Sequence, residues 1–252
     1  MIGDFTPAID LPSLPLKSGE ERVRRATSII ADGGMIIVVD DDARENEGDL
    51  IAAAGCITPE MVAFMVNHST GILCAAMGND RADALRLPLM VAKNDDPHGT
   101  AFTVSCDAKS CGTGVSASDR ALTFRVLASE VPDPAALRRP GHIFPLRARS
   151  GGVMARDGHT EAAFDLARLA GQVSVGVLCE LVNPDGSMMR GLQIDRFAHR
   201  FGLLKISVAE LIAWRRVHDH LAEATVVSRT ISAERSWDRR TSARIETDER
   251  IW

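Results

Sequence analysis

Residues 38–50, VVDDDARENEGDL, place six carboxylates and one arginine directly after an apolar, β-branched run. Like charges this close repel one another and titrate together, so the chain must either expose them to water or supply cations and hydrogen-bond donors. A solvated acidic loop is the ordinary interpretation of such a run. The alternative is a site that binds a cation or moves protons. The charged residues of the run are Asp40, Asp41, Asp42, Arg44, Glu45, Glu47 and Asp49.

Apolar patterns on both sides of this run predict a mixture of strands and helices. MIIVVD predicts a buried strand, which puts the acidic run at a strand end. Further strands are predicted at DLIAAAGCI, GILCAAM, TAFTVSCDA, HIFPLRA and VGVLCELVN. Helices are predicted at EERVRRATSIIA, PEMVAFMVNH, SASDRALTFRVLAS, HTEAAFDLARL, QIDRFAHRF and VAELIAWRRVHDHLAEA. Because strands and helices do not alternate strictly, the sequence favours a mixed sheet covered by helices.

Local signals predict where several elements begin and end. Thr58 is expected to be an N-cap with Pro59 in the first helical position. Ser116 and Asp119 have the spacing of a capping box, and Gly171 is expected to end a helix. One domain is predicted over residues 20–224, between an extended leader at 1–19 and a tail at 225–252 that is disordered or the remnant of a fusion.

Composition excludes several classes of protein. The net charge of -5 and the pI near 5.8 argue against a nucleic-acid-binding surface. No apolar run approaches the roughly 18 residues that a membrane span needs. Five cysteines without a CxxC pair fit a reducing cytoplasm better than a disulfide framework or a zinc site. The chain is therefore predicted to act in the cytoplasm on a small molecule.

Three further segments carry groups that would complete a site around the acidic run. Arg156, His159 and Thr160 bracket the start of a predicted helix, where free N–H groups would bind phosphate. The alternative is that Thr160 only caps the helix and Arg156 is exposed to solvent. His142, beside apolar residues, is either a catalytic or a structural histidine. Glu180 ends a buried strand, where burial would raise its pKa toward that of a general base.

Oxygen ligands without thiolates suit Mg²⁺ or Mn²⁺ better than zinc. These groups together predict a metal-dependent enzyme acting on a phosphorylated metabolite. A phosphatase or an aldolase would fit the same residues equally well.

The motifs VVDDDARENEGDLIAAA, GTAFTVS, TGVSASDRALT, RPGHIFPLRARSGGVMARDGHTEAAFDLARLAG and GVLCELVNPDGSMMR resemble those of the 3,4-dihydroxy-2-butanone 4-phosphate synthase family of riboflavin biosynthesis. The resemblance runs from about residue 20 to residue 215. It implies a three-layer α+β fold with a mixed sheet between helices, working as a homodimer. It also implies conversion of D-ribulose 5-phosphate into L-3,4-dihydroxy-2-butanone 4-phosphate and formate, with two Mg²⁺ or Mn²⁺ ions per site.

The resemblance also assigns roles to residues of this chain. It implies that Glu45 and His159 hold metal and that His142 and Glu180 are catalytic. Glu47 and Cys74 would line the pocket. If the acidic run stays extended, alternation would turn Glu45, Glu47 and Asp49 to one side. The implied substrate contacts are Arg44, Glu45, Asp49, Thr113, Arg156, Asp157, Gly158, His159, Thr160 and Glu180.

Two positions depart from the family pattern. Gly112 stands in place of a threonine in a segment that is one residue shorter, and Ser69 stands in place of a glycine. Both are expected near the pocket. An active synthase is therefore weighed against a paralogue acting on a related ketose phosphate. A third hypothesis is a catalytically weak scaffold that partners a GTP cyclohydrolase through its tail.

Overall fold

A computed structural model describes residues 18–41 and 44–219 of the chain. Asp42, nearly all of the predicted leader and the whole predicted tail lie outside the described residues, so the predicted domain boundaries stay predictions. The compact unit that carries the site ends at Ile212. Within the described part, no helix is both long enough and apolar enough to span a membrane.

Seven strands of the described chain form one mixed sheet in the order β4-β5-β3-β6-β2-β1-β7. β3 runs parallel to β5 and β1 parallel to β7, whereas the other neighbouring strands are antiparallel. This sheet confirms the predicted α+β class. The strands are β1 (Met35–Val39), β2 (Gly48–Ala53), β3 (Cys74–Met77), β4 (Cys106–Ala108), β5 (Leu137–Arg147), β6 (Val175–Glu180) and β7 (Lys205–Ser207).

Helices cover both faces of this sheet. They are α1 (Gly19–Ala31), α2 (Pro59–His68), α3 (Asn79–Ala84), α4 (Ala117–Leu127), α5 (His159–Leu169) and α6 (Leu192–Phe201), and residues 208–219 are also helical. The Thr58 hydroxyl accepts the Met61 N–H at 3.3 Å, which confirms the predicted N-cap of α2. Gly171 follows α5 with a φ of 72°, in the left-handed region that ends helices.

Strand alternation divides the side chains between two faces of the sheet. Ile37, Leu50 and Cys179 belong to the main core, together with residues of α2, α4 and α6. Their chain neighbours turn to the opposite face, against which α1 and α5 pack. Helix α5 lies so close to β6 that a Cβ on Gly176 would overlap the Ala163 carbonyl. The first turn of α5 is thereby held beside the ends of β2 and β6.

Two local predictions were wrong in part. The strand predicted over TAFTVSCDA is limited to β4, while Phe102 and Thr103 form only isolated bridges. The ladder is short because its register shifts between Cys106 and Asp107. The capping box is half formed: Ser116 accepts the Asp119 N–H, but the short Asp119 carboxylate instead accepts backbone N–H groups of the preceding loop.

Candidate active site

The acidic segment folds around the carboxylate of Asp40, which follows β1 and is buried. One oxygen of Asp40 accepts the Glu47 N–H at 2.8 Å. The other accepts the Glu45 N–H at 3.1 Å and the Arg44 guanidinium at 2.8 Å. Asn46 has a φ of 54°, and residues 44 and 45 form a turn. The segment therefore does not stay extended, because the Asp40 carboxylate accepts N–H groups from later in the segment, and the condition for the alternation of Glu45, Glu47 and Asp49 is not met.

The interpretation of the segment as a solvated loop is also wrong. Asp40 and Asp49 are buried, and Glu45 and Glu47 are half-buried. Arg44 pairs with Glu45 at 2.9 Å as well as with Asp40, so it offsets part of the local negative charge. The segment instead provides a pre-formed group of carboxylates at the end of the sheet.

His159, the first residue of α5, meets this group from the helical layer. Its side chain is buried, and ligand atoms of Asp40, Glu45 and His159 lie within 4.8 Å of one another. Burial lowers the pKa of His159 to about 4, so the imidazole is neutral near pH 7 and keeps a lone pair for a metal. Its Nε2 atom has no hydrogen-bond partner among the described residues. Asp40, Glu45 and His159 therefore form a group of residues that could hold a cation.

Asp49 and Glu180 form a carboxylate pair beside this group. They lie directly opposite each other on antiparallel β2 and β6, with both side chains on the α5 face. Burial, and then the charge of Glu180, raises the pKa of Asp49 well above its usual value. Burial likewise raises the pKa of Glu180, whose Oε2 accepts the Ile72 N–H at 2.7 Å. Such a pair holds a proton more tightly than either carboxylate would in water.

Cys74 and Glu47 are each close enough to Glu180 for its charge to raise their pKa values. Cys74 begins β3 and is buried, and burial raises the pKa of its thiol well above the usual value. Burial also raises the pKa of Glu47, which lies 3.3 Å from the Arg190 guanidinium. The sequence analysis missed Arg190, although it ends the quoted GVLCELVNPDGSMMR motif.

The start of α5 has the features of an anion site. Its N-cap is Gly158, which supplies no side-chain hydrogen bond, and a Cβ there would overlap the Arg156 guanidinium. Arg156 is 14% exposed and pairs with buried Glu161 at 2.6 Å. Thr160 is buried in the first turn and is not the cap. The alternatives of a capping threonine and a solvent-exposed arginine are therefore both wrong.

A cavity of about 470 Å³ adjoins the acidic segment and the α5 start. His98, which the sequence analysis missed, lies with its Nδ1 3.8 Å from Glu45 Oε1. Its carbonyl also accepts the Arg156 Nε–H at 3.2 Å. Only a lone histidine in the polar segment NDDPHGT could have signalled this role. The cavity is lined by Asp41, Arg44, His98, Asp157, Val208, Ala209 and Ile212.

Two other predicted site residues, His142 and Thr113, lie on β5 and in the loop before α4. His142 on β5 has its Nδ1 2.9 Å from an oxygen of buried Asp107. Thr113 is exposed in the loop before α4. Across residues 18–41 and 44–219, no hydrogen bond or ion pair joins His142 to Glu45, His159 or Glu180. The structure thus brings together the predicted metal and carboxylate residues, while the side-chain contact that it gives His142 is with Asp107.

The two departures from the family pattern have local explanations. Gly112 donates its N–H to Asp119 at 3.1 Å, so the shortened loop is anchored through its backbone. Ser69 is fully buried, with its hydroxyl donating to the Met65 carbonyl at 2.6 Å and lying 3.0 Å from Cys179 Sγ. Since Cys179 and Glu180 alternate along β6, Ser69 contacts the face opposite Glu180.

We expect Ser69→Gly to lower stability but to leave catalysis intact. The variant loses a buried hydrogen bond worth about 1 kcal/mol and adds backbone freedom costing about 0.5–1 kcal/mol. For a chain of this size each kcal/mol corresponds to about 2–4 °C in Tm. Thermal unfolding measures this loss, and Ser69→Ala, which removes the hydroxyl alone, is the control. A large fall in kcat/KM at unchanged Tm would contradict the assignment to the core.

Comparisons with known proteins show the family of the chain. The sequence model of the family described as 3,4-dihydroxy-2-butanone 4-phosphate synthase matches residues 24–214. A protein of that name from Agrobacterium fabrum is 52% identical over 194 residues, covering 77% of this chain and 91% of that protein. Riboflavin biosynthesis protein RibBA of Salinispora arenicola is 51% identical over 208 residues, and the chain spans 50% of its length. A crystal structure of 3,4-dihydroxy-2-butanone 4-phosphate synthase with two magnesium ions is 46% identical, with a TM-score of 0.73 over 76% of this chain and 94% of that one.

Proposed function

Because the chain belongs to the 3,4-dihydroxy-2-butanone 4-phosphate synthase family, we propose that it is an active synthase of riboflavin biosynthesis. It converts D-ribulose 5-phosphate into L-3,4-dihydroxy-2-butanone 4-phosphate and formate. The observation that carries this proposal is the meeting of Glu45 and His159 beside the carboxylates of Asp49 and Glu180. A cation site next to groups that exchange protons is what enolisation of a ketose phosphate requires.

Glu45 and His159 hold the metal in this proposal, with two Mg²⁺ or Mn²⁺ ions per site. A solved relative contains two magnesium ions, which supports this stoichiometry. The residues fit such an ion, because the buried Nε2 of His159 has no partner among the described residues and the donor set is oxygen and imidazole. When bound, the metal polarises substrate oxygens and stabilises negative charge on them. Asp40 holds the segment that presents Glu45.

Glu180 and His142 move protons in this proposal. Burial raises the pKa of Glu180, which makes its carboxylate a stronger base for a carbon-bound proton. Asp49 lies opposite Glu180 and contacts the substrate. Cys74 lines the pocket beside Asp49 and Glu180. The remaining substrate contacts in the proposal are Arg44, Glu45, Thr113, Arg156, Asp157, Gly158, His159 and Thr160, with Glu47 lining the pocket.

The phosphate of the substrate binds at the start of α5. The first-turn N–H groups, the Thr160 hydroxyl and the Arg156 guanidinium would supply its hydrogen bonds. A phosphate bound at this position would hold the reacting carbons near Glu45 and Glu180. The free energy of phosphate binding is then used to orient the substrate for reaction.

Thr160→Val is expected to lower kcat/KM by about 10- to 100-fold, since a hydrogen bond to a charged group is worth about 1.5–3 kcal/mol. Valine matches the shape of threonine and removes only the hydroxyl. Thr160→Ser, which keeps the hydroxyl, is the control and should retain most of the activity. Inhibition by inorganic phosphate should weaken in the valine variant alone. Equal kcat/KM for the two variants would place the phosphate elsewhere.

We also propose that the enzyme is a cytoplasmic homodimer. All five cysteines are free, which supports a reducing compartment. Leu89, Met90 and Val91 are each about half exposed and supply an apolar run for a subunit contact. Light scattering coupled to size exclusion should give twice the chain mass of 27.2 kDa.

The function is tested by release of formate from D-ribulose 5-phosphate, measured with Mg²⁺ and then with EDTA. Formate that appears only with metal, matched by an equal amount of butanone phosphate, is the expected result. A folded, metal-loaded protein that releases none would refute the proposal, and other ketose phosphates would then be screened.

A further inference from the structure

Both carboxylate oxygens of Asp107 contact His142. It lies on β4 and is almost completely buried. Its Oδ1 accepts the His142 N–H at 2.9 Å, and its Oδ2 lies 2.9 Å from His142 Nδ1. The His142 side chain is 44% exposed. One edge of the imidazole is therefore held by a buried acceptor, while much of the ring is open to solvent.

The chain around this pair is shaped to accommodate it. The register shift between Cys106 and Asp107 takes the His142 N–H out of the strand ladder and gives it to the Asp107 side chain. Gly114, with a φ of 93°, passes so close that a Cβ would overlap both the Asp107 carboxylate and His142 Nδ1. Gly141 is packed equally closely on the backbone of Cys106. Gly114 thus lets the loop before α4 close over the Asp107–His142 pair, and Gly141 lets β5 lie close against β4.

We propose that Asp107 is a positioning residue that keeps the proton of His142 on Nδ1 and leaves the Nε2 lone pair facing outward. The inference rests on the proposed function, in which His142 is catalytic. A carboxylate oxygen accepts hydrogen bonds, so Nδ1 must donate and the neutral ring must carry its lone pair on Nε2. Nε2 then takes a proton from a carbon or hydroxyl of the substrate, and the imidazolium faces Asp107 until that proton is returned.

A purely structural role for Asp107 would be to tie β4 to β5. The bond to the His142 N–H, and the Arg138 guanidinium 3.5 Å from Asp107 Oδ2, would serve that role without any contact to Nδ1. The two roles differ in one measurable property, the tautomer of His142. Only the positioning role requires that changing the tautomer change the rate.

Asp107→Asn separates the two roles because the amide has nearly the same shape. Its oxygen keeps the bond to the His142 N–H, but its NH₂ can only donate to Nδ1, so the ring proton must move to Nε2. We expect kcat to fall by about 100-fold or more, as in other sites where a wrong tautomer is imposed, with little change in KM. In ¹⁵N-histidine spectra of the full chain, the signal that is lost in His142→Gln should change from the Nδ1–H to the Nε2–H tautomer.

A double-mutant cycle tests whether Asp107 acts through His142. Added to His142→Ala, Asp107→Asn should cause no further loss of turnover, since residues that act as a unit are not additive. Asp119→Asn is the matched control. Its carboxylate holds the N–H groups of Gly112 and Gly114 in the same loop and does not touch His142, so it should leave the tautomer unchanged.

Three results would overturn the inference: an Nε2–H tautomer in the wild-type protein, wild-type kcat in Asp107→Asn, or full additivity in the cycle. The wild-type tautomer is decisive even if the asparagine variant does not fold. A wild-type protein that releases no formate would instead refute the proposed function, while the tautomer, read without substrate, would still support or overturn the geometry assigned to Asp107.

Discussion

His159→Ala is expected to reduce metal-dependent formate release by more than about 100-fold, beyond the loss usual for residues that only support a metal ligand. The imidazole is buried and neutral, and its Nε2 has no protein partner among the described residues. The alanine substitution therefore removes a metal ligand, and no protein group loses a hydrogen bond to Nε2. Glu45→Gln should have a similar effect, because the amide keeps the shape of the side chain and loses its charge.

Stabilisation by metal gives a readout of the same site that does not depend on turnover. A ligand that binds only the folded state stabilises it by RT ln(1 + [L]/Kd), so Mg²⁺ should raise the Tm of the wild-type protein. His159→Ala and Glu45→Gln should lose this rise while still unfolding cooperatively in EDTA. Glu60→Gln, an exposed Glu-to-Gln change at the start of α2, is the control and should keep it. Near-normal turnover in either site variant would mean that the metal binds elsewhere.

Much of the fold follows from local pattern. The apolar runs of β1 and β6, and the Thr58 and Gly171 signals at helix ends, act over a few residues and are read directly from the sequence. The acidic segment was placed at the end of a strand, but its conformation was not predicted from the sequence. Its shape depends on Asp40 accepting N–H groups five and seven residues later in the chain, which no periodicity reveals.

Contacts distant in sequence were the least predictable. Asp107 and His142 are 35 residues apart and meet because of a register shift in the sheet. His98 reaches Glu45 from a loop with no hydrophobic pattern. In each case the sequence displays the chemical group, but the tertiary packing alone determines its neighbour.

Ser69 also bears on the choice between a synthase and a paralogue. The paralogue hypothesis depends on two departures expected near the pocket. Ser69 instead bonds Met65 and Cys179 on the core side of the sheet, so it gives no reason for a changed substrate. Gly112 remains the departure nearest to a proposed substrate contact, because it precedes Thr113 in the chain. Activity on different ketose phosphates should therefore be compared between the wild-type protein and Gly112→Thr.

Glu180→Gln is expected to lower kcat by about 100-fold or more, the usual contribution of a positioned acid or base. The glutamine oxygen can still accept the Ile72 N–H, so the loop before β3 should keep its place. We therefore expect the Glu180→Gln variant to fold normally but to transfer the proton much more slowly. It is measured by steady-state kinetics together with circular dichroism.

The same variant should be at least as stable as the wild-type protein when metal is absent. The pKa values of Glu180 and Asp49 are both raised in the folded state, so the folded state favours their neutral forms. That contribution to stability is fully present below the unfolded pKa values and is lost as the pH rises through the folded ones. Removing the charge of Glu180 should therefore raise Tm in EDTA near pH 8, with a smaller gain near pH 5, since carboxyl groups of raised pKa are then closer to protonation.

Glu180→Asp distinguishes relief of charge from a change of shape. It keeps a carboxyl group but withdraws it by one methylene from Ile72, so it should lose activity without gaining stability at high pH. If the glutamine and aspartate variants had the same Tm at both pH values, repulsion between Asp49 and Glu180 would not be the cause.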